Sequence, residues 1–145
     1  MTQITPAHRS LAHPALGSPL RSPLRWVAAL TLVVAGAVHI PVTPEHLEEA
    51  PYIGYLFIAL TVVCFVLALM IAVADTTAVW AVSGVVTALA VGAYLLSRSV
   101  ALPQIGDDVG NWLEPLGVVA IVFEGLTVGL AVAALRRARP LPARA

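Results

Sequence analysis

The stretch Pro51–Ala74, PYIGYLFIALTVVCFVLALMIAVA, runs for 24 residues without a charged side chain. A helix that crosses the hydrocarbon layer of a bilayer needs about 20 apolar residues at ~1.5 Å of rise each. The apolar residues here are continuous, whereas a strand of a membrane barrel would alternate apolar and polar side chains. The stretch therefore predicts a membrane-spanning α-helix.

Three other stretches have the same character and predict spans at about residues 26–42, 76–97 and 115–135. The first contains His39 as its one ionisable group, and the last contains Glu124. Together with the span at 51–74 they predict an all-α fold, an integral membrane four-helix bundle that occupies residues 23–137.

The composition excludes several classes of protein. Of the 145 residues, 59% are hydrophobic and 11% are charged, against roughly 45–50% and about 25% in soluble domains. Mean hydropathy is +0.91. These values exclude a water-soluble enzyme, a nucleic-acid-binding protein and a disordered chain. The expected partner is the lipid bilayer.

The arginines predict the orientation. All eight basic residues are arginine, and seven of them precede the first span or follow the last. The loops on the opposite side hold Arg98 and six acidic residues. Positively charged flanks stay in the cytoplasm, so both termini are predicted to be cytoplasmic, in the inner (plasma) membrane of a bacterium. Residues 1–22 are then a flexible cytoplasmic tail, and residues 138–145 are a basic one.

The first span allows an alternative. Ala35-Gly36-Ala37 follows an apolar run and resembles the small-residue cleavage site of a signal peptide. Cleavage there would leave three spans in the same orientation. The segment Thr43–Glu48 beyond it offers a capping residue, a proline in the first turn and early acidic residues, which predict a short interfacial helix.

Glu124 is the strongest candidate for chemistry. It lies about nine residues into the last span, close to the middle of the bilayer. An acid at that depth costs roughly 2.5–3.5 kcal/mol on insertion scales, so it is expected to face the bundle interior or a wet cavity. It can serve as a proton or cation relay or as the acidic element of a ligand pocket. The alternative is a protonated glutamate that hydrogen-bonds a neighbouring helix.

One polar stripe follows the third span at helical spacing, formed by Ser83, Thr87, Tyr94 and Arg98. Its inner part lies at the depth of Glu124, and its outer part lies at the depth of His39 and Glu114. These depths predict a layered polar interior that opens toward the outer face. The alternatives are hydroxyls that bond their own helix, and an arginine that pairs with an outer acid such as Glu114 instead of clamping an anion.

A metal site is a further hypothesis. His39, His46 and Glu45 carry imidazole and carboxylate ligands that suit zinc, copper or iron. The two histidines are seven residues apart across two prolines, which matches no recognised ligand spacing. The alternative is that His39 is an interfacial hydrogen-bonding group. The sequence identifies no cofactor.

Three pairs of short motifs stand out: Val38-His39 with Pro44-Glu45-His46, Ser97-Arg98 with Leu102-Pro103, and Glu114-Pro115 with Glu124. Over residues 26–135 they resemble a group of small four-span membrane proteins from GC-rich bacteria. The resemblance implies no activity. It makes six positions the ones to test, namely His39, Glu45, His46, Arg98, Glu114 and Glu124.

These features predict a non-enzymatic binding or accessory protein whose polar interior holds a small ligand, an ion or a partner segment. The sequence has no nucleophile elbow, no H-E-x-x-H and no paired intramembrane carboxylates, which disfavours an enzyme. One alternative is a proton-coupled transporter that uses Glu124. In size and span count the chain resembles small multidrug exporters, although those place the essential glutamate in the first span. The other alternative is metal binding through His39 and His46.

Association with a second subunit or another membrane protein is also expected to be possible. Gly125 and Gly129 form a G-x-x-x-G pattern, which lets two helices approach closely. The pattern can serve the protein's own bundle or a partner helix.

Overall fold

The computed structural model describes residues 19–138, and these form five α-helices and one 3₁₀ turn at Gly106–Asp108. The helices are α1 (Arg25–Ala37), α2 (Thr43–Glu49), α3 (Pro51–Val73), α4 (Thr77–Ser99) and α5 (Pro115–Ala138). The predicted all-α class is confirmed for this part of the chain. Three helices, α3, α4 and α5, are long and apolar enough to cross a membrane, which is typical of a multi-pass membrane protein.

The three long helices match the predicted spans to within three residues, but α1 is shorter than the predicted span at 26–42. Its 13 residues give about 20 Å of helix, against a hydrocarbon thickness of roughly 30 Å. The helix ends because the amides of His39 and Ile40 bond carbonyls three residues back, at 3.3 and 3.2 Å. Pro41 then has no amide to donate. The turn leads directly into α2.

The predicted short helix after the first span is present as α2, with Pro44 in its first turn. It lies against the start of α3, where Gly54 makes the close approach possible. A Cβ added at Gly54 would lie 2.6 Å from the Leu47 side chain and 2.8 Å from the Leu47 backbone nitrogen.

The helices pack side by side in the order α3, α1, α5, α4. Helix α1 lies between α3 and α5 and crosses α3 closely at Gly36, whose carbonyl accepts a hydrogen bond from Thr61 at 3.1 Å. Helix α4 packs along α5, where Gly84 faces Ala131. Helices α3 and α4, although joined by a short loop, contact each other little. The bundle is therefore open between them.

Asp75 organises one end of the bundle, which we call the Asp75 end. Its carboxylate accepts hydrogen bonds from the Ser22 amide at 2.6 Å and from the Trp80 indole at 2.7 Å. Its carbonyl accepts a third bond from the Leu20 amide at 2.7 Å. These bonds hold residues 19–22 against the loop between α3 and α4. The rest of the predicted N-terminal tail and residues 139–145 of the basic tail lie outside the described residues.

The opposite end, which we call the α2 end, contains α2, the starts of α3 and α5, and residues 100–114 between α4 and α5. Along the flanks between the two ends, large apolar side chains point outward from all four of the longer helices. They include Trp26, Leu30, Leu56, Leu69, Val85, Leu89, Val122 and Leu126. Continuous apolar surface of this extent is characteristic of contact with lipid.

Candidate binding site between α3 and α4

Glu124 of α5 and His39, just after α1, form a buried pair inside the bundle. Glu124 is 2% exposed, and its Oε1 lies 3.9 Å from Nε2 of His39. That separation is too long for a hydrogen bond. Within residues 19–138, the Glu124 carboxylate has no hydrogen-bond partner.

The tautomer of His39 follows from its other nitrogen. Nδ1 lies 2.7 Å from the carbonyl oxygen of Ala35, and because a carbonyl accepts but never donates, Nδ1 carries the proton. In the neutral ring, Nε2 is then an acceptor. Two acceptors therefore face each other, the Nε2 lone pair of His39 and the carboxylate of Glu124.

The pair lies on the wall of a cleft with a volume of about 420 Å³ in the gap between α3 and α4. This volume falls in the range of small-molecule sites, roughly 300–1,000 Å³. The walls are mainly apolar and include Leu56, Phe57 and Leu60 of α3 and Leu89, Ala90 and Ala93 of α4.

The cleft is covered at the α2 end by the chain that follows α4. Leu102 and Ile105 line the cleft there, and the hydroxyl of Tyr52 donates a hydrogen bond to the Pro103 carbonyl at 2.7 Å. This bond ties α3 to that segment. Leu56 of α3 and Leu89 of α4 line the cleft and are also exposed, so the cleft opens sideways onto the apolar surface between these two helices.

A second cavity of about 280 Å³ adjoins the cleft toward the α2 end. The two share His39, His46, Phe57, Ile105, Asp108 and Ala120. Five carboxylates line this second cavity, those of Glu45, Glu49, Asp107, Asp108 and Glu114. An acidic cavity therefore adjoins a mainly apolar one.

Both candidate metal-binding histidines pack on the ring of Phe57. Each imidazole centroid lies 4.9 Å from the Phe57 centroid. Nδ1 of His46 lies 2.8 Å from the Val42 carbonyl oxygen. This contact resembles the one between Nδ1 of His39 and the Ala35 carbonyl. Among the described residues, no three His, Cys, Asp or Glu side chains are grouped so that they could hold a metal ion. Glu45 lines the acidic cavity, as His39 and His46 also do.

Arg98 forms an ion pair with Asp108 of the 3₁₀ turn, with Nη1 and Oδ1 2.5 Å apart. The acid named from the sequence was Glu114, and the structure pairs the arginine with a different outer acid. The guanidinium also lies 4.8 Å from the centroid of the Tyr94 ring, and the Tyr94 hydroxyl donates to the Trp112 carbonyl at 3.0 Å. Tyr94 lines the cleft, whereas Arg98 lines neither cavity.

Glu114 caps α5. Its carboxylate accepts hydrogen bonds from the amides of Leu116, at 3.0 Å, and Gly117. The acid satisfies two amides that would otherwise be unpaired at the helix N-terminus, and its charge complements the helix dipole.

The inner half of the polar stripe does not reach the cleft. Ser83 donates to the carbonyl of Val79 and Thr87 to that of Ser83, both at 2.8 Å and within their own helix. A different hydroxyl pair joins two helices: Thr127 of α5 donates to Thr31 of α1 at 2.8 Å. Thr127 lies three residues after Glu124, so these two side chains lie on one face of α5. This spacing is the sequence signal that could have indicated the contact.

The glycine pair of α5 faces outward. Apart from the adjoining residues and backbone of α5 itself, a Cβ added at Gly125 or Gly129 would meet no described atom within 4 Å. The sequence left two uses open for this pattern, packing within the bundle and packing against a partner helix. Among the described residues, the glycine pair does not pack within the bundle.

Comparison with protein families, with curated proteins and with solved structures finds no match to this chain.

Proposed function

We propose that this is a four-span protein of a bacterial inner membrane that binds a small, largely apolar ligand in the cleft between α3 and α4. The observation that carries the proposal is the position of the His39–Glu124 pair, two polar groups without a hydrogen bond between them on the wall of a mainly apolar cleft. Groups of this kind fix the orientation of a ligand whose remaining surface is apolar. They can hold it without reacting with it, so the proposed role is binding.

The contacts at the two ends of α1 support a fourth crossing. Leu20 and Ser22, before the helix, bond Asp75 at one end of α3. His39, after the helix, packs on Phe57. From Phe57 to Val73, α3 rises about 24 Å. The segment 22–39 thus traverses most of the depth that α3 traverses, and α2 occupies the remainder.

The charge distribution supports the orientation. Arg21, Arg25, Arg136 and Arg137 lie at the Asp75 end, and the acidic residues of α2, the 3₁₀ turn and the start of α5 lie at the α2 end. Arginine-rich flanks remain cytoplasmic. The cleft would then lie in the outer half of the membrane, with the acidic cavity next to the external solution.

Native mass spectrometry of the protein purified in mild detergent tests the binding proposal. Ala93→Phe places a ring in the cleft, whereas Ala88→Phe places the same ring on an exposed face of α4 that lines neither cavity. A bound species is expected with the wild type and with Ala88→Phe, and it should be depleted in Ala93→Phe. Equal occupancy in both variants, or no bound species in any sample, would contradict the proposal.

Proton-coupled transport is a second candidate, favoured by the geometry of the pair. Either of the two facing acceptors can take up a proton, which an arriving cation would displace. In proteoliposomes with an imposed pH gradient, Glu124→Gln is expected to abolish proton-driven movement of the co-purified species. Unchanged flux in that variant would exclude this candidate and leave binding in place.

A further inference from the structure

The polar groups on the wall of the cleft require hydrogen-bond donors. Nδ1 of His39 is occupied by the Ala35 carbonyl, so Nε2 and the Glu124 carboxylate are both acceptors in the neutral-histidine state. Two acceptors 3.9 Å apart cannot satisfy each other. A buried carboxylate without donors is costly in a membrane interior, so a ligand that supplies them would gain the most from this site.

We propose that the ligand is a lipophilic amine, bound as an ammonium ion. Its N–H groups would donate to Nε2 of His39 and Oε1 of Glu124, and its apolar part would lie on the walls formed by α3 and α4. This inference rests on the proposed binding function and names the class of ligand.

The spacing of the two acceptors suits one nitrogen. Charge-assisted N–H···O bonds have lengths of about 2.7–2.9 Å, so a single nitrogen can lie within reach of two atoms that are 3.9 Å apart. A primary ammonium has three donors and one positive charge, which neutralises the carboxylate. An alcohol has one donor and no charge, so it can satisfy only one of the two acceptors.

The surroundings favour a cation over an anion. The adjoining cavity is lined by five carboxylates. The chain has no lysine, and the arginine nearest in the fold, Arg98, is paired with Asp108 and lines neither cavity. The described lining therefore offers an anion no fixed positive charge. Phe57, which lines both cavities, adds an aromatic ring, a group that attracts ammonium ions.

The route of access suits a lipophilic molecule. The gap between α3 and α4 opens sideways, between apolar helix surfaces, while the tie between Tyr52 and Pro103 covers the α2 end. An amine with an apolar body partitions into the bilayer and can reach this opening from the lipid.

Three probes of nearly the same shape test the inference: phenylbutylamine as the cation, phenylbutanol as the neutral compound and phenylbutyrate as the anion. Binding is measured by isothermal titration into the purified wild-type protein in micelles, with titrations into empty micelles subtracted. We expect the amine to bind about tenfold or more tightly than the alcohol, since a hydrogen bond between two charged groups is stronger than one that a neutral hydroxyl donates. The anion should show no saturable binding.

Variants then test which side chains cause the preference for the amine over the alcohol. Glu124→Gln removes the charge with little change in volume, and it should bring the affinities for amine and alcohol to within about threefold. Ala93→Phe should weaken both compounds, and Ala88→Phe should weaken neither. The comparison of probes on the wild type does not depend on the folding of any variant.

The outcomes of these titrations distinguish the amine assignment from the proposed binding function. If the alcohol binds as tightly as the amine, or if the anion binds best, the amine assignment is wrong. Should Ala93→Phe still weaken that binding, the cleft remains a ligand site and the proposed function stands. If no probe binds in a manner that depends on Ala93, the amine assignment also fails, and the mass spectrometry of the co-purified species decides the proposed function separately.

Discussion

Two buried acids, Asp75 and Glu124, lie in opposite settings. Both carboxylate oxygens of Asp75 accept hydrogen bonds, from the Ser22 amide and the Trp80 indole. Glu124 has a histidine at 3.9 Å as its polar neighbour and lines a cavity. The first acid therefore has a structural role, and the second is the one for which we propose a role in binding.

Replacement of Asp75 tests the structural assignment. Asp75→Ala leaves the amide of Ser22 and the buried indole N–H of Trp80 unpaired, at a cost of roughly 1–3 kcal/mol each in the free energy of unfolding. Asp75→Asn keeps one acceptor oxygen and should lose less. Unfolding of the purified protein in micelles measures both changes. An Asp75→Ala variant as stable as the wild type would show that these bonds do not stabilise the fold.

Glu124→Gln is expected to leave the stability unchanged or to raise it, because the substitution removes a buried charge and breaks no hydrogen bond to a described residue. Thr127→Val, on the same face of α5, is the matched control. It breaks the bond to Thr31 and should cost about 1 kcal/mol. The same unfolding measurement applies. A marked loss of stability in Glu124→Gln would mean that the acid holds the bundle together.

At the scale of the helices, the sequence predicts the parts that depend on apolar length. The three long helices are recognisable because each contains more than 20 residues with few charges. Pro41 also indicates that the first span ends near His39, since the residue before a proline avoids helical angles. The last residue of α1 does not follow from the sequence, because it is determined by the hydrogen bonds of the His39 and Ile40 amides to carbonyls three residues back. The stripe on α4 is recognisable as a helical face, but the partners of Tyr94 and Arg98 are Trp112 and Asp108, so they depend on the path of residues 100–114.

The candidate site was predictable in some of its residues and not in its shape. Counting residues along the spans places Glu124 in an inner layer with Thr87 and His39 in an outer layer with Glu114, whereas the structure brings Oε1 of Glu124 to 3.9 Å from Nε2 of His39. The cleft itself arises because α3 and α4 diverge, and the order in which helices pack is not contained in the hydropathy pattern. The role of Glu114 as a cap could have been inferred from its position immediately before Pro115, since proline favours the first turn of a helix.

The cap on α5 leads to a prediction about the stability of the fold. Glu114→Ala removes the acceptor for two helix amides and should lower the free energy of unfolding by about 1 kcal/mol. Glu114→Asn and Glu114→Ser are also capping residues and should retain most of it. Thermal unfolding of the three variants provides the comparison. If all three lose the same stability, the charge of Glu114 matters and the cap geometry does not.

The crossing of α1 over α3 leads to a second prediction about the helices. A Cβ at Gly36 would lie 3.1 Å from the Cys64 Cβ and 3.2 Å from the Thr61 carbonyl oxygen, so Gly36→Leu should destabilise the bundle by roughly 1–3 kcal/mol or more. Gly125→Leu, where the Cβ meets open space, should leave the monomer unaffected. Sedimentation analysis of Gly125→Leu reports separately on association, because a loss of dimers there would assign the outward-facing glycine pair to a second subunit.

The molecule as a whole has three features: apolar flanks, arginines at one end with acids at the other, and a cleft that opens sideways between α3 and α4. The first two predict how the chain is placed in a membrane. The third predicts what it can bind. The placement in the membrane depends on the segment that contains α1 crossing it, because only with this fourth crossing do the arginines before α1 and those after α5 lie on the same side.

The side on which each flank of α1 lies tests this directly. In a Cys64→Ala background, which leaves the chain without cysteine, single cysteines are placed at Arg21 and at Glu48 and labelled with a membrane-impermeant maleimide. We predict that Glu48→Cys reacts in intact cells and that Arg21→Cys reacts only after the membrane is permeabilised. Labelling of both positions from the same side would contradict it.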